Sequence, residues 1–211
     1  NAVHYKIKVS EDGIYRIPFS VLAGFDAAAG STPKDQWAVY HNGQQVPIYV
    51  SATGNTLGAG DYIDFYGKKN IGDVDSMLYR SGSLQPHPYF SLFTDTSVYY
   101  LTRRTAANQR ISEIQNNLLN PPAKEPYYIS TVRQLSTNGF FDGRYLTVGT
   151  DEVYKSLYDE GEGFANAQFF GSINGPGQVS TQTYTLSTPD IVTSGPAAVF
   201  RSVYATNSNE G

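Results

Sequence analysis

The sequence predicts an all-β protein: an antiparallel β-sandwich with long loops, followed by part of a second β-domain. Three observations lead to this fold class. The segment Tyr5–Val9 alternates strictly between apolar and charged side chains, which is the period of a half-buried strand. Asn42-Gly43 separates two apolar segments and is a strong hairpin signal. Aromatic residues make up 14% of the chain and charged residues only 16%, which favours strands over charged amphipathic helices.

The first half of the chain contains six predicted strands, and the turn sequences Glu11-Asp12-Gly13 and Asn42-Gly43 separate the first from the second and the third from the fourth. Pro18–Ala23 predicts a short helical turn that ends at Gly24. Pro47 has no amide donor, so the fourth strand is expected at a sheet edge or with a bulge. In chain order the strands are Tyr5–Val9, Ile14–Ile17, Trp37–Tyr40, Gln45–Val50, Tyr62–Tyr66 and Val98–Thr102.

The inward faces of these strands are expected to form the core, and 211 residues are enough to bury one. The alternation of each strand selects its apolar members. The predicted core residues are Ile7, Val9, Ile14, Ile17, Trp37, Val39, Ile48, Ile63, Phe65, Val98 and Leu101.

The second half is less regular. Residues 105–120 predict a short helix or a long loop, Tyr127–Val132 predicts a strand, and 138–177 predict long connections with short strands. Alternation resumes in Val179–Leu186 and Ala197–Ala205. We therefore predict one domain over residues 1–177 and the first strands of a second over 178–211. Because two strands alone are marginal, we expect the natural chain to continue past Gly211.

Composition excludes several classes of function. The net charge is −4 and no basic block is present, which argues against a nucleic-acid partner bound through its phosphates. No apolar run approaches the roughly 20 residues of a transmembrane segment. The sequence contains no Cys, so this chain has no disulfide, thiolate metal site or cysteine nucleophile.

Hydrolytic motifs are weak. The sequence contains no Gly-x-Ser-x-Gly motif that could supply a serine nucleophile to a histidine base. We therefore interpret the three histidines, His4, His41 and His87, as surface or edge residues. An acidic cluster offers carboxylates for glycoside hydrolysis, although proximity in sequence does not set the separation that this reaction needs. We interpret it as a solvated acidic loop. Its members are Asp151, Glu152, Asp159, Glu160 and Glu162.

Two kinds of binding site remain as candidates. Four aspartates in a Gly-rich stretch could bind calcium, which prefers oxygen ligands on loops, although their spacing is not that of an EF-hand. The alternative is that they cap turns. Two tyrosine pairs could present rings that stack on sugars or contact a protein, or could simply cover a β-surface. The aspartates are Asp61, Asp64, Asp73 and Asp75, and the tyrosines are Tyr99, Tyr100, Tyr127 and Tyr128.

Four blocks in the first half form one pattern in order and spacing: Tyr5–Ile17, Tyr40–Ile48, Gly60–Gly67 and Asp95–Thr102. This pattern resembles the N-terminal β-region of gingipain-type cysteine peptidases. Within that family it is most similar to the sortase-like members of the type IX secretion system of gliding and oral bacteria. The later half resembles the family only in general character.

The resemblance implies a non-catalytic role for this chain. In the family the nucleophilic Cys and its His lie in a separate, downstream caspase-like domain, so no catalytic residue corresponds to a position here. We expect an accessory or docking module of an exported peptidase, located in the periplasm, outer membrane or cell surface. Its partners would be its own downstream catalytic domain or secretion-system proteins. The alternative is a carbohydrate-binding or adhesive surface module; an independent hydrolase built on the acidic cluster is the least favoured reading.

Overall fold

The structure of the chain is a computed structural model that describes residues 3–115, 119–142, 146–148, 151–153, 157–166 and 183–204. The contacts divide the chain into two compact units. The first unit combines Asn1–Asn70 with Phe93–Asn117, and the second combines Ile71–Leu92 with Leu118–Gly211. The boundary predicted at residue 177 lies outside the described residues.

The described residues of the first unit form seven strands in two antiparallel sheets. These are β1 (His4–Val9), β2 (Gly13–Pro18), β3 (Trp37–His41), β4 (Gln44–Val46), β5 (Ile48–Val50), β6 (Tyr62–Gly67) and β7 (Ser97–Arg103). The four-stranded sheet has the order β1-β7-β3-β4, and the three-stranded sheet has the order β2-β6-β5. The predicted all-β class with antiparallel, sandwich-like sheets is confirmed.

Two local features direct the chain between these strands. Asn42 and Gly43 have φ angles of 47° and 75°, the left-handed pair that a tight hairpin requires, and they join β3 to β4. Pro47 separates β4 from β5, which belong to different sheets. The predicted continuous strand Gln45–Val50 is therefore two strands. Because Pro47 has no N–H to donate, pairing is interrupted at the point where the chain crosses from one sheet to the other.

The core of the first unit lies between the two sheets. The ring centroids of Phe65 on β6 and Tyr99 on β7 are 5.2 Å apart, which brings side chains of both sheets together. Ile7 is partly buried against this core. The predicted residues that are buried are Val9, Ile17, Trp37, Val39, Ile48, Ile63, Phe65 and Leu101.

Two predicted core residues lie on outer faces instead. Ile14 is 65% exposed, because the strand period of two that buries Ile17 turns Ile14 outward. Val98 is only half-buried, because its neighbour Tyr99 points inward at 2% exposure. Both errors are errors of face, since the strands themselves were predicted.

One short α-helix and two 3₁₀ helices connect these strands. Helix α1 (Phe19–Phe25) confirms the predicted helical turn and buries Leu22 completely, but it continues through Gly24 and is capped by Asp26. It follows Pro18, and its first amide, that of Phe19, donates to the carbonyl of Asp61 at 2.8 Å. The 3₁₀ helices are Ala29–Ser31 and Lys34–Gln36.

A partly buried ion pair lies at the end of α1. Asp26 is 6% exposed, and its Oδ2 lies 3.5 Å from Nη2 of Arg103 on β7. The other carboxylate oxygen, Oδ1, accepts the N–H of Ala28 at 3.0 Å. Burial first, and then the Asp26 carboxylate, raise the pKa of the neighbouring Tyr5. The pair thus links the helix terminus to the four-stranded sheet.

The described residues of the second unit are mainly irregular chain around short elements. The strands β8 (Gly139–Phe141) and β11 (Gly163–Ala165) pair with each other, as do β9 (Leu146–Val148) and β10 (Asp151–Val153). The 3₁₀ helices are Asp73–Leu78 and Gly82–Leu84. Tyr79 is 5% exposed, and its hydroxyl donates to the carbonyl of Glu162 at 2.5 Å. Tyr79 therefore joins two segments that are far apart in sequence.

Residues 105–115 contain no helix, which agrees with the long loop predicted as the alternative for this segment. Two other predictions for the second half are wrong in the described residues: Tyr127–Val132 is not a strand, and no strand occurs in 183–204. The remainders of the predicted strands Val179–Leu186 and Ala197–Ala205 lie outside the described residues. A strand is stabilised by pairing with neighbouring strands. A segment whose side chains alternate but which pairs with no described strand is therefore not a strand in the structure.

The titration of Tyr79 gives a test of this packing. Burial, followed by the nearby charge of Glu162, raises the pKa of Tyr79 from 10.0 to about 12. The folded state therefore favours the neutral phenol of Tyr79 over the tyrosinate. The stability of the folded state that depends on this phenol is fully present below pH 10 and is lost as the pH rises towards 12. In ultraviolet titrations of tyrosinate, the difference between the natural chain and Tyr79→Phe should show one group with a midpoint near 12. A midpoint near the ordinary value of 10.0 would contradict the buried position.

Candidate docking surface

The outer face of the three-stranded sheet presents a set of tyrosines around an ion pair. Cross-strand register aligns Arg16 on β2 with Asp64 on β6 and Tyr49 on β5. The adjacent pairs are Ile14 with Tyr66 and Pro18 with Tyr62. Because side chains alternate along each strand, burying Ile17, Ile63 and Phe65 turns this second set outward. We call the surface formed by Ile14, Arg16, Tyr49, Tyr62, Asp64 and Tyr66 the tyrosine face.

Arg16 is held in the middle of the tyrosine face. Its Nε and Nη2 donate to the two carboxylate oxygens of Asp64 at 2.9 and 2.8 Å, a bidentate pair. The guanidinium carbon lies 3.6 Å from the ring centroid of Tyr62, and the ring of Tyr49 lies 6.1 Å from that of Tyr62. Hydrogen bonding to Asp64 raises the pKa of Arg16 above its ordinary value. The guanidinium is therefore charged, oriented and stacked before any partner arrives.

The apolar part of the tyrosine face is open to solvent. Ile14 is 65% exposed, and Tyr49 and Tyr66 are each 46% exposed. Tyr and Arg are enriched among residues that dominate protein–protein binding energies, and tyrosine rings lose little conformational freedom on binding. An aliphatic and aromatic surface around a fixed cation is suited to contact another protein surface.

The outer face of the four-stranded sheet has a different character. Register aligns Lys6 on β1, Tyr100 on β7 and Tyr40 on β3 in one row. Nη1 of Arg104 donates to the Tyr40 hydroxyl at 2.9 Å. Tyr100 is 42% exposed, about as open as Tyr49 and Tyr66 on the other sheet. This second face therefore combines tyrosines with cations.

The structure separates the predicted tyrosines. Tyr99 is a buried core residue, so its prediction as a surface candidate is wrong. The centroid of its ring lies 4.3 Å from that of His41, and its hydroxyl accepts a hydrogen bond from the amide of Lys68 at 2.9 Å. Tyr100 is exposed on the neighbouring face. Tyr127 and Tyr128, 41% and 84% exposed, belong to irregular chain of the second unit.

Tyr49 and Tyr66 are not among the candidates predicted from the sequence, although the sequence contains a usable signal for Tyr66. The prediction that Ile63 and Phe65 point inward already places Tyr62, Asp64 and Tyr66 on the opposite face of the same strand. The contribution of Tyr49 depends on pairing between β5 and β6, which local patterns do not reveal.

Two of the predicted calcium ligands have structural partners in the first unit. The Asp61 carboxylate accepts the Gly58 amide at 2.8 Å and the Ser51 hydroxyl at 3.1 Å, which closes the turn before β6. The Asp64 carboxylate is bound by Arg16. The role of Asp61 agrees with the alternative that these aspartates cap turns, whereas Asp64 lies within β6 and forms an ion pair that the sequence analysis did not predict.

The other two aspartates organise a loop in the second unit. Asp73 Oδ1 accepts the amide of Val74 at 3.1 Å, and the buried Asp75 accepts the amide of Leu92 through Oδ2 at 2.8 Å. Among the described residues, no group of three or more His, Cys, Asp or Glu side chains is placed to hold a metal ion.

The structure describes the local surroundings of the three histidines and of part of the acidic cluster. His41 Nδ1 lies 3.0 Å from the carbonyl of Val98, and His4 is exposed on β1. Burial lowers the pKa of His87 in the second unit. Glu162 accepts the amide of Asp159 at 2.9 Å, and burial raises its pKa. The side chains of Asp151 and Glu152 lie outside the described residues.

Comparisons of the chain with protein-family models, curated proteins and solved structures find no significant match. Within the residues that the structure describes, no helix has the length and apolar character needed to cross a membrane.

Proposed function

We propose that this chain is a non-catalytic docking module of an exported gingipain-type peptidase, of the kind that includes the sortase-like proteins of type IX secretion. The observation that carries the docking role is the tyrosine face. It exposes Ile14, Tyr49 and Tyr66 around the bidentate pair of Arg16 and Asp64. The peptidase setting depends on the four sequence blocks. Two of them, Tyr5–Ile17 and Gly60–Gly67, contain most or all of β2 and β6, the paired strands that carry most of the tyrosine face.

The preferred partner is the catalytic domain of the same parent protein. A partner on the same polypeptide has a high effective concentration, so a modest apolar surface suffices for stable docking. The tyrosine face is also preorganised, because Arg16 is fixed by Asp64 and stacks on Tyr62 before binding. The parent would act at the periplasm, outer membrane or cell surface.

A second candidate function is binding of carbohydrate. It is favoured by one observation: Tyr40 and Tyr100 are cross-strand neighbours on the outer face of the four-stranded sheet, and Arg104 holds the Tyr40 hydroxyl. Adjacent tyrosines with a fixed polar group can stack on and hydrogen-bond to sugar rings. The two functions use opposite sheets, so point substitutions distinguish them.

Substituting the exposed tyrosines should identify the docking face. The double variant Tyr49→Ser with Tyr66→Ser is expected to weaken binding of the downstream catalytic segment by about thirtyfold, because it removes two aromatic contacts from the centre of the interface. The measurement is isothermal titration calorimetry with the downstream segment produced as a separate chain.

Tyr100→Ser is the matched control, because Tyr100 is similarly exposed but lies on the other sheet. Docking through the tyrosine face predicts that this variant binds the catalytic segment like the natural chain. Unchanged binding by the double variant would contradict the proposal. Loss of glycan binding in Tyr100→Ser, measured on an array of polysaccharides, would favour the carbohydrate function instead.

A further inference from the structure

The β1 edge of the four-stranded sheet is a further surface with a defined chemistry. Strand β1 ends the sheet, and it pairs with β7 on one side only among the described residues. We propose that the free edge of β1 binds an extended peptide in which acidic and apolar residues alternate, added as a further strand. This inference goes beyond the docking role and concerns a separate surface and a separate partner.

The backbone of β1 provides the first part of the argument. The strand spans six residues, His4–Val9, and all six have a register partner on β7. A sheet edge of this length presents a row of unpaired N–H and C=O groups, the groups that strand addition uses. Main-chain bonds give affinity without sequence preference, so the choice of peptide depends on the side chains of β1.

Two of the three outward side chains of β1, those of Lys6 and Lys8, are cationic. His4, Lys6 and Lys8 are exposed on the same face of the strand. None of the ion pairs formed by the described residues involves Lys6 or Lys8. Side chains directly opposite on paired strands lie about 4.5–5.5 Å apart at Cβ, so acidic residues at alternate positions of an added strand would face Lys6 and Lys8.

The inward side chains of β1 are apolar and incompletely covered. Tyr5 and Ile7 are only partly buried against the core, whereas Val9 is fully buried. The ring of Tyr5 lies 4.6 Å from that of Phe25, which is itself 49% exposed. Apolar residues of an added strand would extend this layer at the open edge of the sandwich. The two sides of β1 together specify alternating acidic and apolar residues.

The same lysines give selectivity. Lysines on an edge strand oppose pairing with a second copy of β1 or with a cationic strand, because like charges would lie opposite each other. An acidic strand turns this repulsion into attraction. Discrimination between acidic and basic peptides is therefore the property to measure.

The test uses fluorescein-labelled eight-residue peptides and the full 211-residue chain, with binding followed by fluorescence anisotropy. A peptide alternating Glu and Val should bind at least about tenfold more tightly than peptides alternating Lys and Val or Glu and Ser. Methylation of alternate backbone nitrogens along one edge of the Glu and Val peptide should abolish binding, because strand addition needs those N–H groups.

Charge reversal supplies the protein-side control. Lys6→Glu with Lys8→Glu should reverse the preference towards the Lys and Val peptide. Lys68→Glu with Lys69→Glu changes the net charge equally at two exposed positions that follow the three-stranded sheet, and it should leave the preference unchanged. Equal binding of all peptides by the natural chain, binding that survives backbone methylation, or an unchanged preference in the folded Lys6 and Lys8 variant would overturn the proposal.

Discussion

Replacing Phe65 by alanine is expected to lower the free energy of unfolding of the first unit by about 3–5 kcal/mol. Phe65 is fully buried, and its ring centroid lies 5.7 Å from that of Tyr15 and 5.2 Å from that of Tyr99 on the opposite sheet. The substitution leaves a cavity where the two sheets meet. The measurement is urea unfolding followed by the fluorescence of Trp37, which is the only tryptophan of the chain and is buried in the same core.

The neighbouring residue gives the matched control. Tyr66 is 46% exposed on the opposite face of the same strand, so Tyr66→Ala should cost no more than about 1 kcal/mol. The difference between the two substitutions tests which face of β6 is buried. Equal losses would contradict the assignment of the tyrosine face, because that assignment requires Tyr66 to point away from the core.

Replacing Arg103 by methionine is expected to cost about 3 kcal/mol, the second largest effect. Asp26 is 6% exposed, and the described residues place the Arg103 guanidinium 3.5 Å from its Oδ2. Without Arg103 the buried carboxylate loses its cation. Urea unfolding followed by Trp37 fluorescence measures this loss, because both partners belong to the unit that contains Trp37.

Two variants determine whether burial causes this effect. Adding Asp26→Asn to Arg103→Met removes the uncompensated charge and keeps the oxygen that accepts the Ala28 amide, so most of the stability should return. Arg16→Met breaks a pair with shorter contacts, but the Arg16 side chain is 55% exposed, and the expected cost is only about 0.2–1 kcal/mol. A larger loss from Arg16→Met than from Arg103→Met would contradict the assigned burial.

The strands of the first unit could be predicted because their signals are local. The alternation in Tyr5–Val9 and the Asn42-Gly43 turn each specify structure within a few residues. Errors arose where neighbouring apolar residues compete for the inward face, as with Ile14. The change of sheet at Pro47 was also missed, because a missing N–H shows that a ladder stops and does not show where the chain continues.

The candidate surface was harder to predict because it depends on pairing between distant segments. Arg16 and Asp64 are 48 residues apart in sequence, and only the register between β2 and β6 places them side by side. The second unit also depends on contacts between distant segments, because it combines Ile71–Leu92 with the chain from Leu118 onwards. Composition and periodicity contain no information about such pairings. Asp61 and Asp64 are acids in a Gly-rich stretch, which suggests calcium, but in the structure Asp61 binds a turn amide and Asp64 binds Arg16.

We propose that this chain serves a gingipain-type peptidase as its non-catalytic module. The most direct test is to read the coding sequence that follows the codon for Gly211 in the source genome. We predict an α/β segment that carries a His and, further on, a Cys. A stop codon close to Gly211, or a series of β-repeats without that pair, would contradict the claim.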